Sequence, residues 1–176
     1  MKIGIIVGST REGNIGKAIG EWVFQQAKLR TNVEYELIEV SKFKLPLLGE
    51  TNEKSSIEQW NQTIRSIDGF IFVAAEYNHS ITASLKNALD LAFDPWFNKA
   101  AGIVSYGYAG GARAAEHLRT ILGALAIADV QQHVLINLNS DFDKQTFKPA
   151  SYQLGLLTKL FDQLERWTKG LNSVRN

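Results

Sequence analysis

Short apolar runs rich in β-branched residues alternate with longer amphipathic stretches along the whole chain, and this alternation constrains the fold more than any other feature. The run at residues 69–75 contains no polar side chain, which is typical of a strand buried on both faces of a parallel sheet. After such runs the apolar residues recur at intervals of three and four, which indicates helices with one apolar stripe. The repeat predicts a doubly wound α/β fold, because right-handed crossovers place helices on both faces of the sheet.

The boundaries of these elements follow from turn residues and helix caps. We expect the third helix to run from Ile81 to Ala92 and to end at Asp94-Pro95, because the residue before a proline disfavours the helical conformation. With 176 residues, the chain is expected to form a single domain over residues 1–176. The predicted strands cover residues 3–7, 33–40, 69–75, 100–106 and 130–138, and each is followed by a predicted helix.

Composition excludes several classes of function. Nineteen basic and 18 acidic side chains nearly balance, and the sequence has no run of like charges of the kind that binds nucleic acid or membranes. The absence of cysteine excludes disulfides, thiolate metal sites and thiol nucleophiles, and we expect no metal site. The first apolar run is too short for a signal peptide, and no run approaches the roughly 18 residues of a membrane span, so a cytoplasmic protein is expected.

Polar and glycine-rich loops follow the first, third and fourth predicted strands. In an open parallel sheet, ligands bind beyond the carboxyl ends of the strands, where the strand order reverses. The first loop, residues 8–17, joins a strand to a helix, and the free N–H groups of that helix's first turn form an anion site. Hydroxyls of Ser9 and Thr10, the amide of Asn14 and the guanidinium of Arg11 add donors for a phosphate.

The pattern of glycines in the first loop narrows the choice of ligand. The first loop has neither the dinucleotide fingerprint G-x-G-x-x-G nor the triphosphate motif G-x-x-x-x-G-K-[ST]. Their absence disfavours a Rossmann dehydrogenase and a nucleoside-triphosphate site. A single phosphate held by hydroxyls and one arginine fits better, and flavin mononucleotide (FMN) has such a phosphate. The loop at residues 75–80 offers polar backbone beside Tyr77 for a flat ring, whereas His79 is interpreted as a surface residue. The loop at residues 105–111 has three glycines that allow close approach of a ligand.

Three segments, residues 8–14, 76–90 and 105–119, resemble the NAD(P)H-dependent FMN reductase family of flavodoxin-like quinone, azo-dye and chromate reductases. The segment with Glu76-Tyr77-Asn78 followed by Leu85-Lys86-Asn87-Ala88-Leu89-Asp90 is the most specific of the three. The resemblance spans essentially the whole chain and implies a flavodoxin-like five-stranded parallel sheet of order 2-1-3-4-5. The chain departs from the family pattern at Ala75 and Thr82, where proline is common, and at Asn14, where serine is common.

The resemblance also implies which residues bind FMN. The first loop would surround the phosphate, the second would border the isoalloxazine ring, and the third would contact that ring from the fourth strand. Tyr77, Tyr106, Tyr108 and Trp96 are candidates to line the side where the electron acceptor binds, with ordinary packing as the favoured alternative for each. The expected cofactor-binding residues are Ser9, Thr10, Arg11, Asn14, Ile15, Gly16, Ala75, Glu76, Tyr77, Asn78, Ser105 and Gly107.

The implied activity is transfer of hydride from NADPH or NADH to FMN, and of electrons from FMN to a quinone, an azo compound, a metal oxyanion or free flavin. No side chain is expected to act as a catalytic acid or base, because the cofactor carries the chemistry. A homodimer or homotetramer is implied, with Lys86, Asn87 and Asp90 of the third helix at the subunit interface or, alternatively, with Lys86 and Asp90 as a simple ion pair. Two other functions remain open: an electron-carrier flavodoxin and a non-enzymatic flavin-binding regulatory module.

Overall fold

Five parallel strands form the sheet, in the order β2-β1-β3-β4-β5. In this computed structural model, which describes residues 1–13, 15–50, 54–144 and 146–175, the central strands β3 and β4 are buried along their whole length. The predicted order 2-1-3-4-5 and the parallel pairing are therefore confirmed. The strands are β1 (Lys2–Val7), β2 (Glu34–Glu39), β3 (Gly69–Ala75), β4 (Ala100–Gly107) and β5 (Ala128–Asn137).

Helices cover both faces of the sheet, so the core lies in two layers. On one face, α1 and α5 pack against the side chains of Ile3, Ile5 and Val7 of β1. On the other face, α2, α3 and α4 enclose an aromatic cluster in which Phe70 and Trp96 have ring centroids 4.9 Å apart. The helices are α1 (Gly16–Ala27), α2 (Lys54–Arg65), α3 (Ala83–Asp90), α4 (Ala112–Ala124) and α5 (Ser151–Arg175).

The third helix is shorter than predicted, because the chain leaves α3 after Asp90 and forms a separate 3-10 turn at Asp94–Trp96. That turn places the fully buried Trp96 in the aromatic cluster, where its indole N–H donates to the carbonyl of Leu89 at 3.0 Å. Trp96 is therefore a packing residue, as the favoured alternative predicted, and it does not line the acceptor side. Its burial is a consequence of packing between α2 and the sheet.

Two further features differ from the prediction. Strand β5 begins at Ala128, two residues earlier than expected. A small antiparallel hairpin formed by β6 (Phe142–Asp143) and β7 (Thr146–Phe147) follows it, and Phe147 packs edge-on against Trp22 of α1. Strands of two residues are too short to show an alternation in the sequence, so periodicity could not predict them. None of the helices in the described part of the chain is long and apolar enough to cross a membrane.

Candidate functional site

The three loops singled out in the sequence meet at one edge of the sheet, because β1, β3 and β4 are adjacent and parallel. Val7 pairs with Val73, and Ala75 pairs with Tyr106, so the three strands end at nearly the same level. The N–H of Gly8 continues this ladder by donating to the carbonyl of Val73 at 3.1 Å. Strand order reverses between β1 and β3, which is the position where open α/β sheets bind ligands.

A cavity of about 250 Å³ lies at this edge. Its wall combines polar groups of the first loop with two tyrosine rings, one from the second loop and one from the end of β4. The hydrophobic side comes from Leu138, directly after β5, and from Ile15 at the start of α1. The lining residues are Ser9, Arg11, Gly13, Ile15, Tyr77, Tyr106 and Leu138.

The first loop presents donors suited to a phosphate. Ser9 is buried, whereas Thr10 and Arg11 are exposed at the loop surface. Helix α1 has Ile15 as its N-cap, which makes no side-chain cap, and no acidic residue lies in its first turn, so within the described residues its N-terminus suits an anion. Gly16 begins the helix and is buried. Asn14 lies outside the residues that the structure describes, and its expected role stays a prediction.

Tyr106 connects the first loop to the end of β4. Its side chain is almost fully buried and forms a hydrogen bond with Ser9. Burial raises the pKa of Tyr106 to about 12, and the hydrogen bond with Ser9 only partly opposes this shift. The phenol therefore stays protonated at neutral pH and presents an O–H group, rather than a charge, at the cavity wall.

The second loop is a tight two-residue turn. The N–H of Tyr77 donates to the carbonyl of Ser80 at 2.9 Å, and the N–H of Ser80 donates back to Tyr77 at 3.0 Å. Between them Asn78 and His79 have φ angles of 49° and 67°, the left-handed pair that defines a type I′ turn. Asn78 and His79 are both exposed at the tip, and the ring of Tyr77 is 45% exposed beside the cavity.

Glu76 was expected to border the ring, and the structure directs its carboxylate toward α4 instead. Oε1 accepts a hydrogen bond from Arg113 Nε at 2.6 Å, and Oε2 accepts from the backbone N–H of Arg113 at 3.1 Å. Burial opposes ionisation of this carboxyl, but the hydrogen bonds from Arg113 and from the backbone of Ala114 outweigh it and lower the pKa of Glu76. The side chain of Glu76 is thus occupied by contacts with α4, and Glu76 is not among the residues that line the cavity.

In the third loop, as at Glu76, polar groups and glycines make contacts within the protein. The buried hydroxyl of Ser105 donates to the carbonyl of Gly110 at 3.0 Å and so braces the glycine turn. A Cβ at Gly107 would lie 3.0 Å from Cβ of Glu76, which brings the second and third loops together as closely as their backbones allow. Gly111 has φ 73°, and a Cβ there would lie 2.6 Å from the backbone N of Tyr106. Tyr108, in the same loop, is exposed.

The two positions where proline is common in the family are filled differently. Ala75 is the buried last residue of β3. Thr82 is the N-cap of α3: its Oγ1 accepts from the N–H of Leu85 at 3.2 Å and donates to the carbonyl of Gly8 at 3.2 Å. Ser84 donates to the same carbonyl at 2.8 Å. These hydroxyls tie α3 to the first loop.

The predicted cofactor-binding residues did not include Gly13 and Leu138, which line the cavity, or His117, which contacts the second loop. Leu138 follows the end of β5 at the same edge of the sheet, and that position is the one signal in the sequence that could have identified it. His117 contacts Ser80 from α4, and no sequence pattern links positions 37 residues apart. Among the described residues, no group of three or more histidine and acidic side chains is arranged to hold a metal ion.

The residues at this edge fit a ligand with one phosphate and one flat aromatic ring. The N-terminus of α1, buried Ser9 and Arg11 lie together at one end of the cavity, and these groups suit an anion. Tyr77 and Tyr106 supply aromatic surface next to it, and Leu138 supplies an apolar wall. FMN has both parts, and a triphosphate or dinucleotide motif is absent from the first loop.

Comparison with known proteins agrees with this description. Residues 1–141 match the family described as NADPH-dependent FMN reductase. An NAD(P)H-dependent FMN reductase of Schizosaccharomyces pombe is 35% identical over 133 residues, covering 70% of this chain and 66% of that protein. An NAD(P)H:quinone oxidoreductase of Solanum tuberosum is 35% identical over 131 residues, covering 69% and 66%. The chain thus spans slightly less than two thirds of the length of these relatives.

Solved structures share the fold. A flavoenzyme NAD(P)H:(acceptor) oxidoreductase from Paracoccus denitrificans superposes with a TM-score of 0.75 at 19% identity, covering 94% of this chain and 97% of that one. An azoreductase from Bacillus anthracis gives a TM-score of 0.61 at 15% identity, covering 98% and 99%. At such identities the likeness concerns the flavodoxin-like fold alone. The match over residues 1–141 goes further, and this chain belongs to the NADPH-dependent FMN reductase family.

Proposed function

We propose that this protein is an FMN-dependent NAD(P)H oxidoreductase that passes electrons to quinones, azo compounds, metal oxyanions or free flavin. The observation that carries the proposal is the cavity at the strand-order reversal, where the anion end of α1 meets Tyr77 and Tyr106. Family membership supports the reaction class. The names of relatives, which include quinone oxidoreductases, support the class of acceptor.

Holding the phosphate is assigned to the first loop. Ser9, Thr10 and Arg11 supply hydroxyl and guanidinium donors, and the backbone at Ile15 and Gly16 supplies the helix N-terminus. Asn14 is expected to add an amide donor. A charge-assisted bond from Arg11 would contribute most among these contacts, because it combines a hydrogen bond with opposite charge.

Bordering the ring is assigned to the second and third loops. The backbone from Ala75 to Asn78, with the ring of Tyr77, forms one border, and the backbone of Gly107 forms the other. Ser105 acts indirectly, by fixing the glycine turn through Gly110.

When bound, FMN supplies the redox chemistry, accepting hydride from NAD(P)H and delivering electrons to the acceptor. The protein's own contribution is to bind, orient and shield. Among the described residues, the two nearest candidates do not suit proton transfer near neutral pH: the pKa of Tyr106 is raised to about 12, and the carboxylate of Glu76 is directed toward α4. No catalytic acid or base is therefore assigned.

Two alternative functions would bind a flavin but would not oxidise NAD(P)H without another protein. An electron-carrier flavodoxin binds FMN but needs a separate reductase; carriers of this type tend to be strongly acidic, and the net charge of +1 here argues against it. A non-enzymatic regulatory module would bind a flavin or nucleotide without any turnover. Steady-state oxidation of NADPH and of NADH with menadione as acceptor separates them. Turnover dependent on added FMN is expected, and FMN binding without turnover would support a carrier or module instead.

We also propose that the protein assembles as a homodimer or homotetramer through the surface around α3. Within the chain, Lys86 Nζ pairs with Asp90 at 2.7 Å, and the Asn87 side chain bonds to the backbone of Pro46 and Leu48. This arrangement holds the segment before α2 against α3 and leaves Leu48 64% exposed. Exposed leucines on a segment fixed in this way favour burial against a second subunit.

A further inference from the structure

The turn from Glu76 to Ser80, which borders the cavity, is attached to α4 at both of its ends. At one end the Glu76 carboxylate pairs with Arg113, with Oε1 at 2.6 Å from Nε. At the other end Ser80 Oγ lies 2.6 Å from Nδ1 of His117, a hydrogen bond. Arg113 and His117 are four residues apart, and residues with this spacing lie on the same face of a helix. One face of α4 thus holds the whole turn.

The N-terminus of α4 explains why Glu76 takes part. Its N-cap is Gly111, which has φ 73° and makes no side-chain cap. A side chain at position 111 is excluded, since a Cβ would lie 2.6 Å from the backbone N of Tyr106. The tight approach of the glycine turn to β4 therefore leaves the first N–H groups of α4 without the usual cap. Oε2 of Glu76 supplies it, accepting from Arg113 N at 3.1 Å and lying 3.5 Å from Ala114 N.

The turn itself needs such support. Asn78 and His79 both adopt the left-handed conformation, which is unfavourable for a residue with a side chain and more so for histidine than for asparagine. Only two backbone hydrogen bonds, between Tyr77 and Ser80, close the turn. At its base the N–H of Glu76 donates to the carbonyl of Tyr106 at 2.8 Å. Contacts from α4 at Glu76 and Ser80 therefore fix both ends of a short segment whose tip is exposed.

We infer that Arg113 and His117 are positioning residues for the flavin ring: with Glu76 and Ser80 they form a brace that keeps the second and third loops in one fixed arrangement. The inference rests on the proposed function, since the ring is the group assigned to these loops. Neither Arg113 nor His117 lines the cavity. Their effect on binding is transmitted through the backbone of the turn. The phosphate loop, attached to α1 and α3, is not part of this brace.

The brace is tested first in the ligand-free protein, by hydrogen exchange of the amides of Tyr77 and Ser80. Arg113→Met removes the guanidinium but keeps the backbone N–H that Glu76 caps, and Ser80→Ala removes only the hydroxyl. Both variants are expected to exchange these amides about tenfold faster than the wild type. Glu116→Gln is the matched control on α4, because Glu116 neighbours His117 and contacts Arg119 rather than the turn. Unchanged exchange in Arg113→Met and Ser80→Ala overturns the brace.

Its role toward the ring is tested by comparing FMN with riboflavin, which has the same ring and no phosphate. Arg113→Met and Ser80→Ala are each expected to raise the Kd of both flavins by about tenfold. The ratio of the Kd for riboflavin to the Kd for FMN should stay as in the wild type. Faster exchange with unchanged Kd values would mean that the brace is structural only, and would overturn the inference. Failure of the wild type to bind FMN would instead overturn the proposed function, and the exchange experiment would still decide whether the brace exists.

Discussion

Single residues at the cavity edge differ in where their polar groups are directed. The hydroxyl of Ser105 donates to Gly110, and the carboxylate of Glu76 caps α4, so neither is directed at a ligand. Thr10 and Arg11 lie exposed on the first loop, and Arg11 lines the cavity. This division assigns ligand recognition by side chains mainly to the first loop and recognition by backbone to the other two.

Arg11→Ala tests the phosphate assignment. Hydrogen bonds to charged groups contribute about 1.5–3 kcal/mol, so the Kd for FMN should rise by roughly 10- to 100-fold. The Kd for riboflavin, which lacks the phosphate, should stay the same. Fluorescence titration of both flavins with both proteins measures this difference, and equal FMN affinity in the two proteins would refute the assignment.

Lys99 gives a prediction about pH and stability. Its side chain is nearly buried and its ammonium donates to the carbonyl of Ile64 at 2.7 Å, near the end of α2. Burial lowers the pKa of Lys99 to about 8 from 10.5, and the positive charge of Arg175 acts in the same direction. Between these two pH values the unfolded chain binds more protons than the folded protein, so the Lys99 contribution to stability increases as pH rises.

The measurement is the free energy of unfolding of the wild type and of Lys99→Met, determined by urea denaturation from pH 7 to 10. Taking the difference between the two proteins removes the contribution of other groups, including the tyrosines. Above pH 8 the difference should shift in favour of the wild type by at most about 1.4 kcal/mol per pH unit, and below pH 8 it should be nearly constant. A difference independent of pH throughout this range would show that Lys99 is not perturbed.

At the scale of secondary-structure elements, the termini of the helices determine how the loops are held. Helix α3 is capped by Thr82, whose hydroxyl also bonds to Gly8 in the first loop. Helix α4 has a glycine N-cap and receives its cap from Glu76. Helices α3 and α4 are therefore each fixed to a loop that precedes a different helix. These cross-connections hold the loops after β1, β3 and β4 in a single arrangement.

Gly111→Ala should destabilise the protein by about 2 kcal/mol or more. The left-handed conformation alone costs an alanine about 1–2 kcal/mol, and the new Cβ would approach the backbone of Tyr106. Gly123→Ala, in the same helix, is the control: a Cβ there meets nothing within 4 Å, and the substitution should stabilise by about 0.5–1 kcal/mol. Chemical denaturation compares the two, and equal effects would contradict the geometry described for Gly111.

Thr82→Ala should remove both the cap of α3 and the hydrogen bond to Gly8. Loss of an N-cap costs about 0.5–2 kcal/mol, and Thr82→Ser should restore most of it because the hydroxyl remains. The thermal unfolding midpoints of the three proteins provide the test. A serine variant as unstable as the alanine variant would assign the effect to the methyl group instead.

The sequence predicted the strands and their order well, because hydrophobic periodicity and the handedness of β-α-β crossovers determine them. Strands such as residues 69–75 are apolar throughout, and the single allowed handedness of β-α-β crossovers restricts the order of strands. The location of the site followed from the same reasoning, because it depends only on where strands end. Contacts between loops did not follow: nothing in the spacing of Glu76 and Arg113, or of Ser80 and His117, indicates that they meet. The two-residue strands at Phe142 and Phe147 were missed because they are too short to show a period.

At the scale of the whole molecule, the two faces of the sheet differ in the surface they offer to a second subunit. One face carries α1 and α5, whose buried apolar residues pack against the sheet. The other face carries α3, next to which Leu48 is 64% exposed. If α3 is the subunit interface, Leu48→Asp should shift the protein toward monomers in sedimentation velocity. Leu154→Asp on α5, where the side chain is 44% exposed, should not. A monomeric wild type would refute the proposed assembly.

The central claim is that this fold binds FMN where β1, β3 and β4 end and uses it to oxidise NAD(P)H. The most direct test is the absorption spectrum of the FMN-loaded protein under anaerobic conditions, recorded before NADPH, after NADPH, and again after a quinone. We expect the flavin band to bleach on addition of NADPH and to return on addition of the quinone. In a control with FMN and no protein, both changes should be slower. A protein that retains no FMN, or retains FMN whose band is unchanged by NADPH and by NADH, would contradict it.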